Sequence, residues 1–284
     1  MIDSLVSTAW VLDNIDNPKV KIIDASWYMP DSGRSAISEY EAQHIKNAGF
    51  FDIDSIVDTS NPSPHMLPEE AFFAESLSAL GIGNEHHIIV YDSSPLHSGL
   101  RVWWMLRVFG HEGVSYMDGG LAKWLSEGYP LISVKSIPAP ANFVAKLRPA
   151  LLRNSAEIFE NITTQKEQVI DARASARFTA KIKEPRAGLR SGHIPNSLNI
   201  PFGDLFDDDD GTMLDTDEIL EIFTDAGADF NRPIVTSCGS GVTACALMMA
   251  LKLIGKEDVA VYDGSWSEWG SLSEDIAPVA IGRD

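Results

Sequence analysis

Short apolar runs rich in valine and isoleucine alternate along this chain with longer stretches of helical periodicity. Runs of four or five such residues predict β-strands buried on both faces of a parallel sheet, with the intervening helices as crossovers. The predicted strands lie at residues 20–24, 88–92, 168–171, 233–237 and 259–262. Residues 99–109 and 241–253, dense in Trp, Met and Leu, are predicted to be helices that follow central strands. The pattern therefore predicts an α/β fold.

The second half of the chain repeats the first. Residues 88–92 align with 233–237 and residues 107–110 with 252–255, and Trp124 aligns with Trp269, all at one offset of 145 residues. Earlier segments repeat at offsets of 147 and 149 residues, which indicates small changes in loop length. A tandem duplication of this kind predicts two domains with the same architecture. We expect domains at residues 1–135 and 151–284, joined by a proline-containing linker at 136–150, each a parallel sheet flanked by helices on both faces.

Length and charge exclude several classes of function for this protein. The chain has 284 residues, and its 22 Lys and Arg against 41 Asp and Glu give a net charge of −19. Such a surface repels phosphate backbones and anionic lipids, so we expect neither nucleic acid nor membrane partners. The apolar runs are too short for a signal segment or a membrane span, and two cysteines give no disulfide framework. These features predict a reducing compartment, the cytoplasm.

One turn carries the candidate chemistry. Residues 234–244 read Ile-Val-Thr-Ser-Cys-Gly-Ser-Gly-Val-Thr-Ala, so a buried strand delivers Cys238 to a glycine-containing turn that leads into a helix. Such a turn lies at the carboxyl edge of a sheet, where its N–H groups and the helix N-terminus can stabilise a sulfur anion. Gly239 and Gly241 are expected to let the backbone curl without clashes from a β-carbon. Cys245, inside the predicted helix, is expected to be a core residue.

These residues resemble the rhodanese-like sulfurtransferases, and within them the branch that uses 3-mercaptopyruvate as sulfur donor. In thiosulfate-specific rhodaneses the turn has Arg and Lys where this chain has Gly239 and Ser240. Other segments similar to the family lie at residues 65–68, 101–104, 171–173, 184–186, 192–195, 199–201 and 262–266. The resemblance covers essentially the whole chain as two rhodanese-like domains. The first has no nucleophile, because the repeat places Ser93 at the position of Cys238.

The resemblance implies an enzyme, a 3-mercaptopyruvate-dependent sulfurtransferase. Cys238 would take sulfane sulfur, release pyruvate, and pass the persulfide sulfur to cyanide or a thiol, a small thiol-redox protein being one candidate acceptor. Neither a metal nor an organic cofactor is implied. Arg177 and Arg186 would grip the carboxylate and keto oxygen of the donor, since a guanidinium can bind a carboxylate through two donors. The remaining implied substrate-binding residues are Gly239, Gly241, Val242 and Thr243.

The family comparison also implies a relay of Ser240, His65 and Asp54 across the domain interface. A histidine positioned by a carboxylate is a reasonable acid–base device for the substrate thiol or the leaving enolate. A hydrogen-bond network without catalytic duty is the alternative interpretation of the same three residues.

Two other functions remain open from the sequence, and two are disfavoured. A thiosulfate sulfurtransferase is the nearest alternative, and a non-catalytic rhodanese-like module that binds partners or senses redox state is the second. The acidic segment 207–211 does not fit a calcium loop, because Phe206 stands where the first Asp ligand belongs. Cysteine phosphatases need Arg six residues after the cysteine, and this chain has Ala244 there.

Overall fold

The computed structural model describes residues 3–134, 138–139 and 141–282. These residues form two compact units. The first comprises the described residues of Met1–Asp58, Leu67–Arg148 and Asp207–Met213, and the second those of Thr59–Met66, Pro149–Phe206 and Leu214–Asp284. Each unit therefore takes one short segment from the other half of the chain. Residues 136, 137 and 140 of the predicted linker lie outside the described residues, and the boundaries at 135 and 151 remain a prediction.

The first unit is a five-stranded parallel sheet in the order β1-β5-β4-β2-β3. Its strands are β1 Leu5–Val6, β2 Val20–Asp24, β3 Ala48–Phe50, β4 His87–Tyr91 and β5 Val114–Met117. Its helices are α1 Thr8–Asn14, α2 Ala36–Ala42, α3 Glu70–Ala79, α4 Gly99–Val108 and α5 Gly120–Ser126. The strands of this sheet are rich in apolar residues because flanking helices keep both of its faces from water.

The second unit repeats this topology in the order β6-β10-β9-β7-β8. Its strands are β6 Leu152–Arg153, β7 Gln168–Asp171, β8 Leu198–Asn199, β9 Ile234–Ser237 and β10 Val259–Tyr262. Its helices are α6 Ser155–Thr164, α7 Ser175–Phe178, α8 Thr216–Asp225, α9 Ala244–Leu253 and α10 Ser265–Trp269. Short 3-10 turns at Pro149–Leu151 and Phe202–Leu205 complete it. The predicted α/β class with two parallel sheets is confirmed.

The offset of 145 residues holds in the structure as well as in the sequence. It maps α4 onto α9 and β5 onto β10 at both ends. Trp124 and Trp269, which the offset also relates, are fully buried, and each donates its indole N–H to a proline carbonyl, at 3.1 and 3.0 Å. The same burial and the same polar contact in both units explain why tryptophan fits both positions.

Helix α9 begins later than its periodicity suggests. The apolar pattern predicts a helix from residue 241, whereas α9 begins at Ala244. Gly241 has φ +76°, in the left-handed region that does not continue a right-handed helix. The three residues before Ala244 therefore belong to the turn that follows β9.

None of the described helices is long and apolar enough to cross a bilayer.

Candidate active site

Cys238 follows the central strand of the second sheet. Strand β9 lies between β10 and β7, and Asp171 at the end of β7 is in register with Ser237. The carboxyl ends of all three strands consequently meet at one edge, where open α/β sheets place ligands. Cys238 is a free thiol and only 1% exposed. This register brings the segments that follow the other two strands against the cysteine turn.

Residues after β10 hold the backbone of Cys238. The Cys238 N–H donates to Oγ of Ser265 at 3.1 Å, and that hydroxyl donates to the carbonyl of Tyr262 at 2.8 Å. The N–H of Trp266 donates to the Cys238 carbonyl at 3.0 Å. Ser265 adopts φ +48°, unusual for a residue with a side chain, and is fully buried. In the sequence, Ser265 stands out only as part of the family segment at 262–266.

The two glycines of the turn are needed for different reasons. Gly241 takes the left-handed conformation that favours glycine. Gly239 does not, and its constraint is space: a β-carbon there would lie 3.3 Å from Nη2 of Arg177 and 3.8 Å from Nη1 of Arg186. Gly241 thus serves the conformation of the turn, and Gly239 avoids a β-carbon contact with Arg177, as expected of glycines that let the backbone curl without clashes.

The two predicted substrate-binding arginines converge on the cysteine turn. Arg177 lies at the end of α7, and Arg186 lies in the loop that follows. Nη1 of Arg186 donates to Oγ of Ser267 at 3.1 Å, and that hydroxyl donates to the Gly239 carbonyl at 2.6 Å. Ser267 thus connects Arg186 to the turn. No feature of the sequence singled out Ser267, which lies one residue beyond the family segment ending at Trp266.

A buried carboxylate positions Arg177. Glu184, whose side chain is 1% exposed, accepts from Nη2 of Arg177 at 2.5 Å and from Nη1 of Arg173 at 2.9 Å. Arg173 is also paired with Asp171 at 2.6 Å and stacks over the ring of Trp266. Burial disfavours the charge of Arg173, but Asp171 and Glu184 outweigh it and raise the pKa of that guanidinium. Glu184 and Arg173 belong to the family segments, yet their positioning role emerges only from these contacts.

Ser240 and His65 meet inside the second unit. His65 belongs to the segment Thr59–Met66, and its Nδ1 lies 3.0 Å from Oγ of Ser240. Both residues are buried. Asp54 belongs to the first unit, where its two carboxylate oxygens each accept from Nε1 of Trp27 at 2.9 Å. The Ser240–His65 part of the predicted relay is thus in place, and the link from His65 to Asp54 remains a prediction.

Val242 and Thr243 join the turn to the first turn of α9. Their carbonyls accept from the N–H groups of Cys245 and Ala246, at 3.2 and 3.1 Å. The N-terminus of a ten-residue helix follows Cys238 by six positions, and its dipole favours a negative charge there. Cys245 is fully buried, and its Sγ donates to the Gly241 carbonyl at 3.3 Å. That contact fits a structural thiol.

The corresponding turn of the first unit is filled by a carboxylate. Asp92 accepts from the N–H groups of Ser94 and Gly99, both at 2.8 Å, and from the Tyr116 hydroxyl at 3.0 Å. It thereby caps the N-terminus of α4, the counterpart of α9. Burial raises the pKa of Asp92 to about 7. Ser93, at the position of Cys238, bonds with Ser26 and Tyr28, so this turn of the first unit presents a hydrogen-bonded hydroxyl in place of a thiol.

The described residues contain no cluster of metal-binding side chains. Over residues 3–134, 138–139 and 141–282, no group of three or more His, Cys, Asp or Glu side chains could hold an ion.

Comparison with known proteins gives one family and two activities. A model of the rhodanese-like domain matches residues 7–127 and 155–272. The 3-mercaptopyruvate sulfurtransferase of Homo sapiens is 46% identical over 286 residues, covering 99% of this chain and 96% of the human protein. The thiosulfate sulfurtransferase of Rattus norvegicus is 45% identical over 273 residues, covering 94% of this chain and 91% of the rat protein.

A solved structure shows the same architecture. The crystal structure of SseA from Escherichia coli, one of the 3-mercaptopyruvate sulfotransferases, superposes with a TM-score of 0.85 at 39% sequence identity. The match covers 93% of this chain and 98% of SseA. Fold and family are thus clear, whereas identities of 46% and 45% do not separate the two sulfur donors.

Proposed function

Because this chain belongs to the rhodanese family, with two rhodanese-like domains, we propose that it transfers sulfane sulfur from 3-mercaptopyruvate to cyanide or a thiol through a persulfide on Cys238. The observation that carries the choice of donor is that the turn residues beside Cys238, Gly239 and Ser240, are uncharged, whereas Arg177 and Arg186 reach Gly239 from a separate segment. Thiosulfate carries two charges close to its transferable sulfur, so a turn that prefers it should itself contain cationic residues next to the cysteine. Mercaptopyruvate carries one carboxylate, at the far end from its sulfur.

In the first half-reaction, the Cys238 thiolate attacks the donor sulfur. An S–S bond forms, the C–S bond of the donor breaks, and its electron pair remains on carbon as the enolate of pyruvate. The donor thiol loses its proton and the enolate gains one at carbon, which yields pyruvate and a persulfide anion. The N-terminus of α9 and the N–H groups of the turn stabilise that anion.

Arg177 is prepared for the donor carboxylate by Glu184. Its Nε and Nη2 atoms face Glu184, at 3.3 and 2.5 Å, so the edge formed by Nη1 and Nη2 is the one that remains for a ligand. Arg186 approaches from the side of Ser267. Because both guanidinium groups are anchored before the donor arrives, little side-chain entropy is lost when it binds.

Ser240 and His65 handle the proton. A hydroxyl hydrogen-bonded to an imidazole at 3.0 Å can pass a proton between the substrate and the ring. Asp54 would hold the ring in the required tautomer if it contacts His65, as the family resemblance implies. In the second half-reaction, cyanide or a thiolate attacks the outer sulfur and the Cys238 thiolate leaves, so the enzyme returns to its starting state.

Mass spectrometry and kinetics test this proposal together. Protein treated with mercaptopyruvate should gain about 32 Da, one sulfur atom, on Cys238 and release one equivalent of pyruvate. Cys238→Ser should abolish both, whereas Cys245→Ser should retain most activity because that thiol is structural. Side-by-side kcat/KM values for mercaptopyruvate and thiosulfate decide the donor. A preference for thiosulfate would favour the alternative activity, and no turnover of either would favour a non-catalytic module.

We propose the cytoplasm as the compartment. Cys238 and Cys245 are both free thiols, and free thiols persist in a reducing compartment. Cell fractionation tests this, and an organellar location would overturn it.

A further inference from the structure

The cationic residues of this acidic chain are concentrated in one segment beside the cysteine turn. Residues 173–190 hold six of the 22 Lys and Arg residues but one of the 41 Asp and Glu residues, Glu184. Three of the six are committed to carboxylates: Arg173 and Arg177 to Glu184, and Arg190 to Glu274. The net positive charge of the segment therefore comes largely from the other three, Lys181, Lys183 and Arg186.

Lys181 and Lys183 are exposed, and within the described residues neither side chain makes an ion pair or hydrogen bond. Two other lysines of the second unit differ, since Lys252 pairs with Glu257 and Lys256 with Asp258. An exposed cation without a carboxylate partner keeps its full attraction for anions in solution. The loop between Arg177 and Arg186 thus presents two uncompensated charges.

The path of the chain keeps these lysines near Cys238. Arg177 and Arg186, at the two ends of the loop, both lie against Gly239, and the Ile182 N–H donates to the Ala176 carbonyl at 3.1 Å. Lys181 is four residues from Arg177, and Lys183 is three from Arg186. Since an extended chain spans at most about 3.3–3.6 Å per residue, each lysine backbone lies within roughly 14 Å of an arginine that faces the turn.

We infer that Lys181 and Lys183 form an entrance that attracts small anionic sulfur donors, carboxylate-bearing thiols in particular, to the Cys238 turn. Arg177 and Arg186 hold the anion once it has arrived, whereas the lysines raise its rate of arrival. On a chain of net charge −19, an anion approaching elsewhere is repelled, so a local positive entrance has a large relative effect. This inference rests on the proposed function for the identity of the donor but not for its test.

The size of the effect follows from Coulomb's law with salt screening. If each lysine charge is taken to lie about 12 Å from the turn through water, one unit charge changes the local concentration of a monovalent anion about 1.5-fold in 10 mM salt, and hardly at all in 0.5 M salt. Replacing both lysines by Glu changes four unit charges. We therefore expect about a fivefold slower capture of anions at 10 mM salt and no measurable change at 0.5 M.

Alkylation of Cys238 measures capture without turnover. In a Cys245→Ser background, the rate constants for iodoacetate, an anion, and iodoacetamide, its neutral counterpart, are compared at both salt concentrations. Lys181→Glu with Lys183→Glu should lower the iodoacetate to iodoacetamide ratio about fivefold at 10 mM salt, and the Gln pair about twofold. The control pair is Lys166→Glu with Lys252→Glu, two lysines of the second unit. Lys166 precedes β7 and Lys252 lies in the last turn of α9, so both are at the edge of the sheet opposite Cys238.

A ratio unchanged by the Lys181 and Lys183 substitutions, or lowered equally by the control pair, would overturn the inference. An effect that persists at 0.5 M salt would also overturn it, because screening must remove attraction over this distance. Turnover separates the two proposals. If the ratio shifts as expected but the protein releases no pyruvate from mercaptopyruvate, the entrance stands and the proposed function fails.

Discussion

Arg186→Leu is the sharpest test of donor recognition in this site. Nη1 of Arg186 lies 3.8 Å from the point where a Gly239 β-carbon would be and is anchored by Ser267. Leucine keeps much of the side-chain volume and removes the charge. The buried pair of Arg173 and Glu184 is untouched, so this change is cleaner than Arg177→Leu, which would take one of the two arginine partners from a buried carboxylate.

The expected loss comes from one charge-assisted contact. A hydrogen bond to a charged group contributes about 1.5–3 kcal/mol, and each 1.4 kcal/mol is tenfold, so kcat/KM for mercaptopyruvate should fall at least about 10-fold. Arg177 and Arg186 both lie within 4 Å of the same point at Gly239. If they grip one carboxylate, their effects should not add, and the double variant should lose less than the product of the single losses.

Steady-state kinetics on the two single variants and the double variant measure these losses. Alkylation of Cys238 by iodoacetamide serves as the control, because a neutral reagent needs the thiolate and not the arginines. Losses of equal size in turnover and in alkylation would refute the reasoning, since the arginines would then support the thiolate or the fold. Additive losses in the double variant would refute the shared carboxylate.

Three further outcomes are expected. Gly239→Arg with Ser240→Lys should raise thiosulfate activity at low salt, because it places cations beside the cysteine. It should lower mercaptopyruvate activity, because a β-carbon at residue 239 would lie 3.3 Å from Nη2 of Arg177 and the new side chain displaces that guanidinium. Proportional loss of both activities in a folded protein would contradict this. His65→Gln should lower kcat about 100-fold and change the pH–rate profile, whereas a purely structural role would leave the profile unchanged. Burial raises the pKa of Asp92 to about 7, so the fold favours the protonated side chain. The free energy of unfolding of the wild type, relative to Asp92→Asn, should therefore fall by about 1.4 kcal/mol per pH unit as the pH rises from about 4 to 7. A difference in the free energy of unfolding that is the same at pH 5 and pH 8 would contradict this.

The sequence alone determined the α/β class of this protein and its plan of two repeated units. Strands of a parallel sheet are rich in Val and Ile, so runs of these residues mark five of the ten described strands, and the repeat at 145 residues carries the plan of one unit onto the other. The strands β1, β3, β6 and β8 have only two or three residues and leave no such run. The sequence also predicted that Cys238 lies in a turn between a strand and a helix, because strands, glycine turns and helices are local features. The absence of a nucleophilic cysteine from the first unit followed from a single aligned residue, Ser93.

Tertiary structure decided which side chains surround the thiol. Arg177, Arg186 and Ser267 meet at Gly239 because strands β7, β9 and β10 end at one edge, which brings together residues up to 90 positions apart. Likewise, the assignment of His65 to the second unit and the capping of α4 by Asp92 depend on where the chain returns in space. Local patterns encode burial and periodicity, whereas these contacts depend on the path of the whole chain, which no short segment specifies.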